Sequence, residues 1–216
     1  MQMTQKIGRH QCFIYDGHPA RHLPAIAAAI RGKLAEGYRC LYLHSPAVVE
    51  MMSARLAEEQ VNVAVAVAKG ALVLSSEPVV SESGIFDTEA MILRLEAAVN
   101  QALDDGYNGL FATGDLTWEL GTNKENFSKL LEYEWRLEKL FQKQPALSGI
   151  CQYHHDTLPC EVVRQGLVCH QAIFLNETLS RINSYYACSI PRAEAASRDP
   201  KLDQAIMKLC QFAGAT

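Results

Sequence analysis

Short apolar runs alternate along the chain with longer segments in which apolar residues recur at helical spacing. The runs predict six strands, at 12–16, 39–44, 71–76, 109–115, 146–153 and 169–175. The segments between them predict helices at 23–37, 46–60, 63–70, 88–106, 124–142 and 159–167. Such alternation is typical of an α/β domain whose mostly parallel sheet is covered on both faces. We therefore predict three layers, αβα, around a sheet of six or more strands.

Local signals mark where several helices begin and end. Ser45, Asp87 and Asn123 each precede a helical pattern and are residue types that cap helix N-termini. Gly37 and Gly106 follow two of the patterns, where glycine commonly ends a helix. Residues 77–86, rich in Pro, Ser and Gly, are predicted to form a surface loop.

The chain is predicted to contain one domain and a tail. No Pro/Gly/Ser-rich linker and no internal repeat interrupts residues 1–190. Residues 191–216 are predicted to be a loosely attached tail with one weak helix at 203–213.

Composition and charge exclude several classes of protein. The chain is 49% hydrophobic and 20% charged, which is normal for a globular protein and excludes wholesale disorder. A net charge of −4 gives no general electrostatic reason to bind nucleic acid or an anionic membrane. The N-terminus is polar, and Asn62, Lys69 and Gly70 interrupt the longest apolar stretches. We expect a cytoplasmic protein with no membrane span.

The seven cysteines show no metal-binding or disulfide spacing. Their number is odd, no C-x-x-C occurs, and several lie inside apolar runs. Reduced, buried thiols are favoured over a disulfide framework. The cysteines are Cys12, Cys40, Cys151, Cys160, Cys169, Cys188 and Cys210.

The turn after the first strand is not a phosphate-binding loop. In open α/β sheets, ligands bind at the carboxyl ends of the strands. The turn there reads YDGHPARHLP, with one glycine and two prolines and no Gly-Lys-Thr. Because proline cannot donate an N–H group, the turn is poorly suited to hold a triphosphate, and nucleotide hydrolysis is not expected.

Two acidic residues are candidate ligand contacts. Asp115 ends the predicted strand at 109–115 and Trp118 lies just beyond, which suits ligand binding. The alternative is that Asp115 is a cap and Trp118 a core residue. Glu134 lies on the apolar side of its helix, where an unpaired carboxylate is costly. It is either buried and bonded to the Asp115 loop or Tyr153, or it is a solvated edge of the apolar stripe.

Adjacent histidines follow the fifth strand, at His154 and His155. One of them could bind zinc or iron together with His10, His170 or Asp115, but no H-x-E, H-E-x-x-H or H-x-H spacing supports a metal site. Solvated loop histidines are the simpler interpretation. A G-x-S-x-G motif for serine catalysis is absent from the sequence.

Six segments, taken together, resemble one known family. They are GRHQCFIYD, LAEGYRCLYLH, ALVLSSEPVVSESGIFDTEAMI, ALDDGYNGLFATGDLTWEL, LLEYEWRLEKL and SGICQYHHDTLPCEVVRQGLVCHQAIF. In this order they are similar to the MEDS domain, the methanogen/methylotroph sensory domain of the dichloromethane-dehalogenase repressor type. The resemblance covers about residues 8–176. It implies a RecA/KaiC-like core without a phosphate loop, which senses small molecules such as hydrocarbon derivatives in transcription regulators and histidine kinases.

The resemblance also implies which positions matter. Asp115 stands where the family more usually has glutamate, and this shorter carboxylate would shift any ligand that it holds. No DNA-binding or kinase module accompanies the domain in this sequence, so we expect it to signal through a partner protein or through self-association. The family's recurring positions correspond to His10, Cys12, Tyr15, Gly114, Asp115, Trp118, Tyr133, Glu134, Cys151, Gln152, Tyr153 and His170.

The leading hypothesis is a non-enzymatic domain that binds a small molecule at the carboxyl edge of the sheet, without a cofactor or a resident metal. A second is an enzyme or metalloprotein that uses His10, Asp115 and Glu134 with His154 or His155. A third is a degenerate ATPase-like scaffold that binds only proteins. The predicted ligand contacts are His10, Tyr15, Asp115, Trp118, Glu134 and Tyr153; of the two in the first strand, Tyr15 is favoured, since His10 lies at the opposite end of the strand.

Overall fold

The computed structural model of the chain describes residues 8–78, 80–120, 123–176, 178–187 and 199–213. In these ranges seven strands form one sheet, in the order β3-β2-β4-β5-β1-β6-β7. All neighbouring strands are parallel except β6 and β7, which are antiparallel. The strands are β1 (His10–Tyr15), β2 (Arg39–Leu43), β3 (Leu72–Ser75), β4 (Leu110–Gly114), β5 (Leu147–His154), β6 (Ala172–Asn176) and β7 (Leu179–Ile182).

Helices cover both faces of the sheet. The α-helices of the described ranges are α1 (Leu23–Ala35), α2 (Pro46–Glu58), α3 (Val63–Ala68), α4 (Thr88–Asp104), α5 (Lys124–Lys143), α6 (Cys160–Cys169) and α7 (Pro200–Ala213). Single 3₁₀ turns occur at Pro19–Arg21 and Thr117–Glu119. The predicted α/β class, the mostly parallel sheet and the three layers are confirmed, whereas the likeness to a RecA/KaiC core stays a prediction.

Alternation along β1 divides the interior into two cores. Cys12 and Ile14 face α4, α5 and α6, whereas Phe13 and Tyr15 face α1 and α2. Both faces of this strand are buried because the neighbours β5 and β6 and the two helical layers enclose it. Central strands of parallel sheets are apolar on both faces for this reason.

Most of the predicted helix ends are found. The side chains of Asp87 and Asn123 accept the backbone N–H groups of Ala90 and Glu125, so both act as N-caps. Ser45 occupies the N-cap position of α2, but its side chain makes no capping bond. Gly37 and Gly106 have φ angles of 77° and 84°, which glycine adopts without the strain of other residues.

Two predictions differ from the structure at the C-terminal side. Strand β7 was not predicted, because its exposed Leu179 and Ile182 give no buried alternation. The sequence predicts a loose tail, but α7 packs on α6, β1 and β6 and buries Leu202 and Ile206 in the core of the α5 face. The predicted boundary between 190 and 191 lies outside the described residues.

The described part of the chain agrees with two expectations from composition. Its six cysteines are all free, and only Cys160 among them is exposed. No helix in these ranges is both long enough and apolar enough to cross a bilayer.

Candidate functional site

A cavity of about 220 Å³ lies between the sheet and helices α4 and α5. Its wall is mainly apolar, with exposed Glu77 and Arg94 at the side that meets solvent. The lining residues are Leu41, Leu43, Val73, Ser75, Glu77, Met91, Arg94, Leu95, Ala112, Thr113, Gly114, Leu116, Thr117, Leu130, Tyr133, Glu134, Leu137, Phe141, Ile150, Cys151, Gln152 and Tyr153.

Small residues on β4 leave this space open. Ala112 and Gly114 lie two positions apart on the strand and line the cavity. A Cβ atom at Gly114 would collide with the carbonyl oxygen of Leu43 on the neighbouring strand. Residue 114 therefore cannot acquire a side chain without moving the backbone, and the cavity is lined at this point by the backbone of β4.

A group of buried polar side chains adjoins the inner wall of the cavity. Glu134 and Glu138 lie one turn apart on α5 and are 4% and 3% exposed, so both carboxylates face the sheet. Opposite them are residues from β1, β5 and the end of α6. We call this group the polar cluster; its members are His10, Glu134, Glu138, Cys151, Tyr153 and His170.

Short contacts join the members of the polar cluster. The Tyr153 hydroxyl donates to Glu134 Oε1 at 2.6 Å, and His10 Nδ1 lies 2.9 Å from Glu138 Oε2. Glu134 Oε2 lies 3.5 Å from Nε2 of His10 and 3.5 Å from Nε2 of His170. Cys151 Sγ lies 3.4 Å from His10 Nε2. His10, Glu134, Cys151 and His170 each have one atom that could coordinate a metal. These four atoms lie within 4.8 Å of one another, so the four residues could hold a metal ion.

Burial and charge shift the pKa values of the cluster in different directions. Burial lowers the pKa of His170 to about 4, with help from His10. Burial opposes protonation of His10 too, but Glu134 and Glu138 outweigh it and raise the pKa of His10. Burial alone would raise the pKa of Glu134. His170 and His10 outweigh burial, so the pKa of Glu134 lies below its ordinary value. Burial and Glu134 raise the pKa of the Cys151 thiol.

Gly166 of α6 lets Tyr153 reach Glu134. A Cβ atom at residue 166 would lie 2.6 Å from Cε1 of the Tyr153 ring, which is closer than real Cβ contacts. The ring therefore packs directly against the helix backbone. The carbonyl oxygen of Gly166 also lies 2.7 Å from Nδ1 of His170. The glycine thus positions two members of the cluster.

A second group of predicted residues lies on the other face of the sheet, at the carboxyl edge. The Tyr15 hydroxyl donates to Asp115 Oδ2 at 3.4 Å, and its ring stacks on His154 with centroids 4.8 Å apart. Asp115 Oδ1 accepts the backbone N–H of Thr117 at 2.7 Å, so this carboxylate also caps the turn that follows β4.

The six predicted ligand contacts therefore do not form one site. Glu134 and Tyr153 line the cavity, and His10 joins them in the polar cluster. Tyr15 and Asp115 contact each other on the opposite face. The Trp118 side chain is 37% exposed and does not line the cavity.

The alternative metal set of His10, His154 and His155 is wrong as a single site. His10 begins β1 and pairs with Gly149, whereas His154 ends β5 and pairs with Tyr15. The rings of His10 and His154 therefore lie near opposite ends of these paired strands. The proposed bond between Glu134 and Tyr153 is confirmed, and the solvated alternative for Glu134 is excluded by its burial.

The sequence analysis names Cys151 and His170 among the family's recurring positions, but it does not place them, or Glu138, beside His10. One signal was available for Glu138, because two carboxylates one turn apart on an apolar helix face need a cationic partner. Cys151 and His170 carry no comparable local signal, since their positions depend on the strand register.

Comparison with known families covers this whole site. A family model described as MEDS, the methanogen/methylotroph, DcmR sensory domain, matches residues 9–171. This span contains every member of the polar cluster and every residue that lines the cavity. No curated protein sequence matches the chain. Because the matched span is well over half of its length, the chain belongs to the MEDS family of sensory domains.

Proposed function

We propose that the chain senses a small, mainly apolar molecule, such as a hydrocarbon derivative, which binds in the cavity between the sheet and α4 and α5. The observation that carries this proposal is the cavity itself, with its apolar wall beside one buried polar cluster. Ligand sites are typically concave and apolar with a few polar groups that fix orientation. In this cavity Glu134, Tyr153 and Gln152 supply such groups.

The size of the cavity supports a ligand of only a few heavy atoms. An engineered cavity of about 150 Å³ in another protein takes up benzene. At about 220 Å³, this cavity has room for a molecule somewhat larger than benzene. A nucleotide is too large for it, and the turn after β1 has no phosphate-binding sequence.

The proposed function includes no catalysis. His10 and Glu138 pair with each other and do not line the cavity, and Glu134, which does line it, is held by the Tyr153 hydroxyl. A catalytic base must reach the proton that it removes, and these groups are instead engaged with one another. The output of sensing would pass to a partner protein or a second copy of the chain, in signal transduction or transcriptional regulation.

Toluene binding tests this proposal. The Ala112→Leu variant fills the cavity floor, and Ala54→Leu is the matched control because Ala54 is exposed on α2. Toluene at ten times its Kd should raise the Tm of the wild type and of Ala54→Leu by about 3 °C or more. It should leave the Tm of Ala112→Leu unchanged. Native mass spectrometry of the proteins as purified should detect a small bound molecule in the wild type and in Ala54→Leu, but not in Ala112→Leu.

Two results would contradict the proposal. An equal toluene shift in all three proteins would mean that binding does not occur in the cavity. Absence of both a toluene shift and a co-purified molecule in the wild type would overturn the apolar-ligand site. Gas chromatography of the toluene after incubation tests the non-catalytic part, which a product dependent on the protein would disprove.

A further inference from the structure

We propose that the polar cluster contains a binding site for a zinc ion, with His10, Glu134, Cys151 and His170 as its four ligands. The residues come from four parts of the fold: the start of β1, the middle of α5, β5 and the position after α6. This proposal concerns a resident metal, and it does not depend on the sensing function proposed above. It departs from the expectation from sequence that the domain has no resident metal.

The distances fit tetrahedral coordination. Ligands that bind zinc at about 2.0–2.3 Å in tetrahedral geometry lie roughly 3.4 Å from one another. Three of the separations are close to this value: 3.4 Å from His10 Nε2 to Cys151 Sγ, and 3.5 Å from Glu134 Oε2 to Nε2 of either His10 or His170. The other separations are at most 4.8 Å, so side-chain adjustments would bring all four atoms to one ion.

Hydrogen bonding places two acceptors against each other. A carbonyl oxygen cannot donate, so His170 Nδ1 must carry the hydrogen in its 2.7 Å contact with Gly166. In the neutral ring, Nε2 then presents a lone pair to Glu134 Oε2 at 3.5 Å. Neither atom has a hydrogen-bond partner among the described residues, and both are buried. A cation between them would satisfy both, whereas without one they repel.

Outer contacts hold the ligands as they do in known metal sites. A histidine that binds metal usually donates its other N–H to a carboxylate or a backbone carbonyl. His10 has Glu138 in this position at 2.9 Å, and His170 has Gly166. The second oxygen of Glu134 accepts from Tyr153. Each of these three ligands is therefore oriented by a hydrogen-bond partner of its own.

A proton is the main alternative to a metal ion. A doubly protonated His10 or His170 could pair with Glu134 Oε2, which lies 3.5 Å from Nε2 of each, but charge-assisted N–H···O bonds are about 2.7–2.9 Å long. The observed 3.5 Å is longer, and a simple ion pair would not require the sulfur of Cys151 beside it. One thiolate, two imidazoles and one carboxylate suit zinc, whereas calcium and magnesium prefer oxygen ligands.

Four protein ligands leave no open coordination position, which is typical of structural rather than catalytic zinc. Zinc has a route to the site, since Glu134 and Cys151 also line the cavity. We expect the ion to tie α5 to the sheet.

Elemental analysis of the full chain, expressed with zinc in the medium, tests the proposal. The wild type and the control Cys160→Ser, whose thiol is exposed, should each hold one equivalent of zinc. The variant Cys151→Ser should bind zinc about 100-fold more weakly or worse, since loss of an outer partner alone costs roughly 10–100-fold. With cobalt in place of zinc, the thiolate-to-cobalt absorption should appear in the first two proteins and vanish in Cys151→Ser.

The wild type alone supplies a readout if Cys151→Ser does not fold. Removal of zinc by a chelator should lower its Tm, and added zinc should restore it. A wild type that binds no zinc on titration would overturn the proposal, and so would equal cobalt absorption in Cys151→Ser and Cys160→Ser. The Ala112→Leu variant separates the two proposals, because it should lose toluene binding and retain its zinc.

Discussion

The hydroxyl of Tyr153 donates a hydrogen bond of 2.6 Å to Oε1 of Glu134, and both residues are almost completely buried. This bond links β5 to α5 across the inner end of the cavity. A buried carboxylate is costly without partners, so the phenol offsets part of the cost of placing Glu134 there.

Replacement of Tyr153 by Phe should destabilise the protein by about 2–3 kcal/mol, because it removes a partner from a buried, charged oxygen. Tyr107→Phe is the matched control, since Tyr107 donates to the Lys69 carbonyl at an exposed site, and it should cost less than about 1 kcal/mol. Urea unfolding of the chelator-treated proteins measures both. Equal losses in the two variants would mean that the bond to Glu134 has no special role.

Gly166→Ala should destabilise the protein by about 1–3 kcal/mol, because the new methyl group would displace the Tyr153 ring. Gly32 in α1 offers a control of the same kind, since a Cβ there has nothing within 4 Å. Gly32→Ala should stabilise the protein by about 0.5–1 kcal/mol through the better helix propensity of alanine. Thermal unfolding of the pair should therefore show shifts of opposite sign; a stabilising Gly166→Ala would contradict the packing described.

Helix α7 should owe its attachment to apolar burial rather than to its ion pair. Ile206 is 2% exposed, and Ile206→Ala should cost about 2–4 kcal/mol. Asp203 pairs with Arg164 at 2.6 Å but is 44% exposed, and Asp203→Asn should cost less than about 1 kcal/mol. Denaturant unfolding with fluorescence compares the two. The reverse order would support a helix held mainly by charge.

His44 should make the protein less stable in mild acid. Burial lowers its pKa below 6.5, although Asp115 opposes the shift and His154 adds to it. Its Nδ1 accepts the Ser45 N–H at 2.8 Å, a bond that protonation would break. The folded state thus binds fewer protons than the unfolded state, so stability from this group is complete above about pH 6.5 and declines as the pH falls.

The wild type should accordingly lose on the order of 1 kcal/mol more than His44→Gln between pH 7 and pH 5. Urea unfolding across this range checks the difference between the two proteins, so contributions from other groups cancel. Parallel stability curves would rule out the role of His44.

Much of the fold could be predicted from sequence because its signals are local. The caps at Asp87 and Asn123 and the apolar runs of β1 to β6 depend on neighbouring residues only. The burial of Glu134 was one of two open readings, since a carboxylate on an apolar stripe is visible in the sequence but its partner is not. The stripe of Leu202, Ile206 and Leu209 in α7 has helical spacing, and it could have indicated a packed helix.

The composition of the polar cluster could not be predicted in the same way. His10 and Glu138 are 128 residues apart, and His10 and Cys151 are 141 apart. Their contact depends on the strand order and on the register that sets His10 opposite Gly149. No local pattern specifies either. By contrast, the division of His10 and Tyr15 between opposite faces was predictable, because two residues five positions apart in one strand point to opposite sides of the sheet.

The register of β1 has a consequence for folding. A slip of one residue against β5 would exchange the faces of the strand, since its side chains alternate. His10 would then leave its carboxylate partners for the aliphatic and aromatic side chains against α1, and Phe13 would face two buried carboxylates on α5. The side chains on both faces of β1 therefore oppose the slip. They specify the register of this six-residue strand against β5.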